Sequence, residues 1–218
     1  MKKRLPFDII FENGEVIVID KPCGILSVPT RLDKRRAREE QRTCETLLCD
    51  YVRKGQAKSR LRVYPVHRLD RETSGILLFA KDEALAKYLR ENWNRLAHKI
   101  YIAQVEGVLE EDGGTIESYL REDPKTLRVY SVKSAEYGAY ARTEWRLLAV
   151  GNGVTKVEID LKTGKKNQIR VHFSEMGHPV AGDVKYGGRK ARRLFLHASK
   201  LSVELPSGKY EWTSRPDF

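Results

Sequence analysis

What most limits the fold of this chain is a succession of short, β-prone apolar runs separated by glycine turns. Residues 7–11 and 16–19 flank Asn13-Gly14, the dipeptide that best tolerates the positive φ angles of a tight hairpin, so an antiparallel pair opens the fold. Further runs follow at residues 76–80, 99–107, 115–120, 126–132, 139–150 and 154–161, punctuated by Gly113-Gly114, Gly138 and Gly151-Asn152-Gly153. Short strands joined by glycine turns predict an α+β fold class: an extended mixed, largely antiparallel β-sheet flanked by helices and loops. Helical spacing is confined to a few stretches. Leu47, Leu48, Tyr51 and Val52 predict a core-facing helix over residues 45–53. Asp82 is placed to cap a second helix with apolar positions Leu85, Tyr88, Leu89 and Leu96, and Trp93 packs beside that stripe. A chain of 218 residues with 40% hydrophobic content can bury one sizeable core, which argues for a single domain over residues 1–218.

Charge narrows the choice of partners. Lys and Arg total 41 against 30 Asp and Glu, a net charge of +11, which favours a polyanion because each neutralised phosphate releases condensed counterions. Residues 30–43 carry Arg31, Lys34, Arg35, Arg36, Arg38 and Arg42 with almost no apolar side chains, and residues 55–62 form a second basic loop with Lys58 and Arg60. Such runs cannot bury a face, so they are expected at the surface, as candidates for gripping phosphates. Cys23, Cys44 and Cys49 form neither a disulfide framework nor a spaced metal set, which predicts free thiols in a reducing, cytoplasmic setting. His172, His178 and His197 follow no metal-ligand spacing and are expected to make structural hydrogen bonds, so no metal is assigned. The chain has neither G-x-G-x-x-G nor G-x-x-x-x-G-K, so no nucleotide cofactor is indicated. No secretory signal or membrane span fits the sequence.

The chemistry concentrates in residues 64–82, YPVHRLDRETSGILLFAKD, where polar groups are packed tightly before a buried-looking strand. Here His67-Arg68-Leu69-Asp70-Arg71-Glu72-Thr73-Ser74-Gly75 closely resembles the signature of the RluA-type RNA pseudouridine synthases, in which the aspartate of H-R-L-D is the catalytic residue. Other segments resemble further elements of that family. Lys21-Pro22-Cys23-Gly24 is similar to its K-P-x-G segment, which lies near the catalytic loop. The run from Lys99 through Tyr101 to Gly107 resembles K-x-Y-x-A-x-V-x-G, whose tyrosine faces the target base. The stretch Thr163-Gly164-Lys165-Lys166-Asn167-Gln168-Ile169-Arg170-Val171-His172 resembles T-G-R-x-H-Q-I-R-x-H, whose arginine pairs with the aspartate. Lys165 and Asn167 depart from the usual arginine and histidine: lysine keeps the charge without the planar fork, and asparagine can still cap and donate. Asn167 is expected to open an amphipathic helix that Gly177 closes. His178-Pro179 through Gly182-Asp183 to Tyr186-Gly187 resembles H-P-x-x-G-D-x-x-Y-G, and Leu196-His197-Ala198 matches an L-H-A strand.

The resemblance covers about residues 7–206 and implies the pseudouridine synthase fold, with a catalytic cleft across the sheet and without a separate N-terminal RNA-binding domain. It implies Asp70, Tyr101 and Arg170 as catalytic residues and puts His67, Arg68, Arg71, Thr73 and Ile169 at the substrate. Lys165 and Lys166 join Arg35, Arg36, Arg38, Lys58 and Arg60 as candidates for the RNA backbone. The implied reaction turns uridine into pseudouridine in a ribosomal or transfer RNA stem-loop, without redox change, cofactor or metal, in an enzyme expected to be monomeric. A carboxylate can add at the anomeric carbon or at carbon 6 of the base, and the sequence does not choose between them. Burial raises the pKa of a nucleophilic carboxylate; a guanidinium from Arg170 opposes that shift, and its fork suits a bidentate pair. Tyr101 either assists loss of the carbon 5 proton or stacks on the ring. Arg68 either fills the space of an extruded nucleotide or buttresses the loop. Two rival readings are a glycoside or nucleoside hydrolase using Asp70 with Asp183, and a non-catalytic RNA-binding module.

Overall fold

The structure is a computed structural model that describes residues 5–30, 41–54, 56 and 58–218. Arg35, Arg36 and Arg38 lie outside the described residues. The opening hairpin joins β1 (Asp8–Glu12) to β2 (Val16–Lys21). Its turn works differently from expectation, because neither Asn13 nor Gly14 takes a positive φ. Instead the Asn13 side-chain oxygen accepts the N–H groups of Glu15 and Val16 at 2.9 and 2.8 Å, a side-chain turn that removes the need for left-handed backbone. Helix α1 (Cys44–Arg53) starts in a reciprocal cap between Thr43 and Thr46 and buries Cys44, Leu48 and Cys49. Tyr51, expected in the core, is 42% exposed and donates to Glu12 from its hydroxyl at 2.9 Å. Its phenol tip keeps a polar partner at the surface while the smaller cysteines fill the core-facing positions.

Strand β4 (Ser74–Ala80) is buried along its whole length, which is why its sequence reads as a continuous apolar run. The short β3 (Tyr64–Pro65) pairs with its far end. Helix α2 (Glu83–Leu96) follows, capped by the Asp82 carboxylate on the N–H of Leu85, and it buries Ala86, Leu89 and Leu96 while leaving Tyr88 exposed. Beyond it run β5 (Ala97–Glu106), β6 (Gly113–Glu122), β7 (Val129–Val132), β8 (Ala139–Gly151) and β9 (Val154–Leu161). Helix α3 (Gln168–Glu175), a 3-10 turn at Val184–Tyr186, β10 (Leu196–Leu205) and β11 (Gly208–Thr213) complete the order. Among the described residues these strands form one sheet in the order β1-β2-β4-β10-β5-β9-β8-β6-β7, with β3 beside β4 and β11 beside β10. Every strand pairing is antiparallel except β10 with β4, which run parallel. The mixed, largely antiparallel sheet follows the sequence expectation; β3 escaped it because two residues carry no periodic signal, and β11 escaped it although Lys209-Tyr210-Glu211-Trp212 alternates polar and aromatic residues.

The parallel contact is where the two halves of the chain meet. Gly75 lies opposite both Lys21 of β2 and Ala198 of β10. It adopts φ +109°, and a Cβ there would lie 2.2 Å from the Ala198 carbonyl oxygen. Glycine thus lets β10 close against the strand that follows the Asp70 loop. Replacing Gly75 with Ala combines a forbidden φ with a backbone clash and is expected to cost on the order of 3 kcal/mol, lowering Tm by roughly 5–10 °C. A thermal melt checks this, and an unchanged Tm would contradict the close approach of β4 and β10.

Candidate active site

Residues 66–73 connect β3 to β4, and their backbone is held from below by the segment after β2. Lys21 is fully buried, and its ammonium donates to the carbonyls of Pro22, Ile25 and Arg71 at 2.9, 2.8 and 3.2 Å. Burial pushes its pKa down to about 8, yet three carbonyl acceptors match its three donors. Ser27 clasps Leu69 from both sides, donating to its carbonyl at 2.8 Å and accepting its N–H at 3.1 Å. Gly24 and Arg71 exchange a further pair, Gly24 N–H to the Arg71 carbonyl at 2.8 Å and Arg71 Nε to the Gly24 carbonyl at 3.0 Å. Each neutral bond contributes about 1 kcal/mol net, and together they brace the backbone on both sides of Asp70, at Leu69 and Arg71. The expected neighbourhood of Lys21-Pro22 and the Asp70 loop is therefore found, with the lysine itself as the tie. Sequence reasoning gave Lys21 and Ser27 no task; a lysine at the end of an apolar strand, where charge is costly to bury, was the available signal.

His67 closes the other side of the loop. Its Nε2 accepts the Leu78 N–H at 3.1 Å, a donor on the edge of β4 between the stretches covered by β3 and β10. The ring stacks on Trp93 at 4.6 Å and 18°, so Trp93 packs as expected. Burial, and then the charge of Lys99, push the His67 pKa down to about 3. The other histidines also make structural hydrogen bonds: His172 to Thr143 and Ser118, both at 2.9 Å, His178 to the Glu106 carbonyl at 2.8 Å, and His197 to Ser74 at 2.8 Å.

Across the cleft, α3 is buried on nearly every side and packs on β7 and β8. Gln168 locks its start, accepting from Thr163 Oγ1 at 2.7 Å and Lys165 N–H at 3.0 Å while donating to the Arg142 carbonyl and Thr143, both at 2.9 Å. Asn167 occupies the N-cap position, but its side chain makes no cap bond and its φ is +53°. The amide instead donates to the Tyr186 hydroxyl at 2.9 Å, because in the left-handed conformation the side chain turns away from the first helical turn. The asparagine cap expected from the sequence is therefore not formed.

Arg170 projects from α3 to Asp70, 100 positions away in sequence. Its Nη1 lies 3.3 Å from Asp70 Oδ2 and 3.9 Å from Glu72. The fork goes elsewhere: Nε and Nη2 donate to the two oxygens of Asp183 at 2.6 and 2.8 Å. The expected bidentate Arg170–Asp70 pair is thus a single, longer contact, since Asp183 occupies the planar edge of the guanidinium. The Asp183 side chain is fully buried, Arg170 is 8% exposed and Asp70 is 31% exposed. Burial weakens the guanidinium's hold on its proton, but Asp183, then Asp70 and Glu72, outweigh it and raise the Arg170 pKa above its ordinary value.

Asp70, Arg71, Lys166, Asn167, Arg170, Asp183 and Lys185 are among the residues lining an open cavity of about 410 Å³, within the range of small-molecule sites. Tyr101 is buried on β5 between Ala198 and Ile159. Burial, and then the nearby negative charge of Asp70, raise its pKa well above the usual phenol range. Thr73 and Ile169 are buried, whereas Arg68 and Arg71 are exposed; of the expected substrate residues Arg71 lines the cavity, while Tyr101, His67, Arg68, Thr73 and Ile169 are not among its lining residues. Lys165 and Lys166 are exposed at the start of α3, with Lys166 ion-paired to Glu122, and Lys58 and Arg60 are exposed in the second basic loop.

The histidines give a pH prediction with a definite sign. Burial lowers the pKa of His67 to about 3 and of His172 to about 4, from 6.5. Between those values and 6.5 the unfolded chain binds protons that the folded one rejects, so stability falls as pH drops below 6.5. Each such histidine is expected to remove about 1 kcal/mol per pH unit through that window. Urea unfolding at pH 7.5 and 5.5 measures it; His67→Gln should show a smaller loss, and a flat wild-type profile would contradict neutral buried imidazoles.

Comparison with known proteins agrees with this geometry. The model of the RNA pseudouridylate synthase family matches residues 15–175. The chain is 32% identical over 217 residues to ribosomal large subunit pseudouridine synthase D of Borreliella burgdorferi, covering 95% of this chain and 64% of that protein. It is 33% identical over 215 residues to the dual-specificity RNA pseudouridine synthase RluA of Vibrio vulnificus, covering 94% of this chain and 80% of that protein. In fold it resembles human RNA pseudouridylate synthase domain containing 1, with a TM-score of 0.74 at 24% identity, covering 97% of this chain and 84% of that one. On the family match and these identities, the chain belongs to the RNA pseudouridylate synthase family, in its RluA-type branch.

Proposed function

We propose that this protein isomerises specific uridines to pseudouridine in structured RNA, with Asp70 as the nucleophile. The observation that carries this reading is a partly exposed carboxylate at an open cavity, facing one nitrogen of a buried guanidinium. The reaction breaks the bond from base N1 to ribose and forms one from base C5 to the same carbon; C5 loses a proton and N1 gains one. Electrons and atoms balance without a redox partner. Asp70 adds transiently at the anomeric carbon or at carbon 6, holding one fragment while the base turns over. The 3.3 Å contact is longer than the 2.6 and 2.8 Å bonds to Asp183, and a loosely held carboxylate keeps lone pairs available for attack.

Tyr101 is read as the platform on which the ring rests. Its raised pKa disfavours the phenolate that a base would need. Arg68, exposed and without a hydrogen bond or ion pair among the described residues, is free to fill the place of an extruded nucleotide, an extrusion that costs a few kcal/mol. Arg71, which lines the cavity, is read as a contact to the substrate, and His67, Thr73 and Ile169 as acting through the loop and helix that carry the lining residues. Lys165, Lys166, Lys58 and Arg60 are read as contacts to RNA phosphates.

The hydrolase reading loses its second carboxylate, because both Asp183 oxygens are taken by Arg170. A purely RNA-binding module would have no use for a buried ion pair aimed at an accessible acid. The names of the relatives point to ribosomal RNA, and for the dual-specificity enzymes to more than one kind of target; a ribosomal or transfer RNA stem-loop is therefore the proposed substrate. A monomer with one catalytic domain over residues 1–218 is part of the same proposal. Unpaired Cys23, Cys44 and Cys49 fit a reducing cytoplasm, and among the described residues no helix is long and apolar enough to cross a membrane.

The test is tritium release from RNA carrying uridine labelled at carbon 5. Wild-type protein is expected to release tritium from a subset of ribosomal or transfer RNA stem-loops, and Asp70→Asn to release none. Release by the mutant, or free uracil in place of pseudouridine, would contradict the proposal.

A further inference from the structure

We propose that Tyr186 is a positioning residue for the Arg170 guanidinium, and that Asn167 acts through it. This rests on the uridine-isomerase reading of the site. Tyr186 is 2% exposed, so it cannot touch RNA. Its ring lies 5.1 Å from the Arg170 guanidinium carbon, within range of a cation–π contact that also limits how the guanidinium plane can tilt. The same residue reaches the other side of the fork: its backbone N–H donates to Asp183 Oδ1 at 3.2 Å, the oxygen that accepts Arg170 Nη2. Tyr186 therefore contacts both members of the buried ion pair.

The ring is itself pinned at the far end. Its hydroxyl accepts from Asn167 Nδ2 at 2.9 Å and from the Val129 N–H at 3.0 Å, and its carbonyl accepts from Ser174 Oγ at 2.6 Å. Asn167 is three positions before Arg170 and Val129 begins β7, so the hydroxyl ties the helix that carries Arg170 to the neighbouring sheet. With Nε and Nη2 committed to Asp183 and the ring behind the plane, Nη1 is the nitrogen left to meet Asp70. A small rotation of the guanidinium would lengthen a contact that is already 3.3 Å. Arg128 and Lys185 also lie 5.3 and 5.6 Å from the ring, so a purely structural role for Tyr186 is the alternative to be tested.

The experiment measures kcat and KM for tritium release in Tyr186→Phe, Tyr186→Leu and Asn167→Ala, each alone and combined with Arg170→Lys, with folding checked by circular dichroism. Tyr186→Leu is expected to lower kcat at least ten-fold with KM within two-fold, and Tyr186→Phe and Asn167→Ala to lower it three- to ten-fold. In the Arg170→Lys background, which has no planar fork to orient, the same changes should alter kcat less than two-fold. Equal losses in both backgrounds, a change confined to KM, or unchanged kcat in the single variants would overturn the proposal. Should Tyr186→Leu fail to fold, Tyr186→Phe and Asn167→Ala carry the comparison. A wild-type protein that releases no tritium defeats the functional reading itself; an active wild type with indifferent variants defeats only the role of Tyr186.

Discussion

A guanidinium taken out of water needs a counter-charge of fixed geometry, and at Arg170 that partner is Asp183, which meets Nε and Nη2 at 2.6 and 2.8 Å inside the protein. Removing one member of such a buried pair typically costs about 3–5 kcal/mol, because the other is left charged and alone. The pair therefore fixes the third nitrogen, Nη1, in space before any substrate arrives. Asp70 then needs only to be delivered to that nitrogen by a loop from the other end of the sheet. The Asp70 contact is long and partly exposed while its support is short and buried, which suits the proposed role of a group that leaves its partner to bond elsewhere.

Delivery of Asp70 depends on the segment after β2. Lys21 and Ser27 hold the loop by side-chain bonds to the main chain of Arg71 and Leu69, so the backbone around Asp70 is specified by side chains that do not line the cavity. His67 adds a bond to β4, and Gly75 lets β10 approach the same strand. Structure and chemistry are linked at these residues: the parallel β4–β10 contact closes the sheet near the point where the Asp70 loop enters β4.

Much of this was legible in the sequence, for reasons that can be named. Continuous or alternating apolar runs between glycines located β2, β4, β5, β8 and β9, because strand burial imposes its pattern locally. Asp70 and Arg170 stand in dense polar motifs, and the structure brings them together across 100 positions. The partner of the arginine fork was not legible, since Asp183 and Asp70 are both acidic neighbours in a motif and only tertiary packing decides which one is buried. Tyr51 and Asn167 misled for a related reason: helical spacing does not say which member of a stripe turns outward, and a cap residue is defined by its φ as much as by its type. The tasks of Lys21 and Tyr186 lie in long-range contacts that one sequence cannot display.

The most direct test of the account removes the guanidinium without leaving a buried charge behind. Arg170→Met combined with Asp183→Asn eliminates the ion pair as a unit while Asn still accepts the Tyr186 N–H. The double variant is expected to fold and to bind substrate RNA with affinity close to wild type, while single-turnover tritium release from carbon 5 falls at least about 100-fold, the loss expected when a preorganised charged donor is removed. Single-turnover release within a few-fold of wild type in the folded double variant would contradict the claim that Arg170 prepares Asp70 for attack.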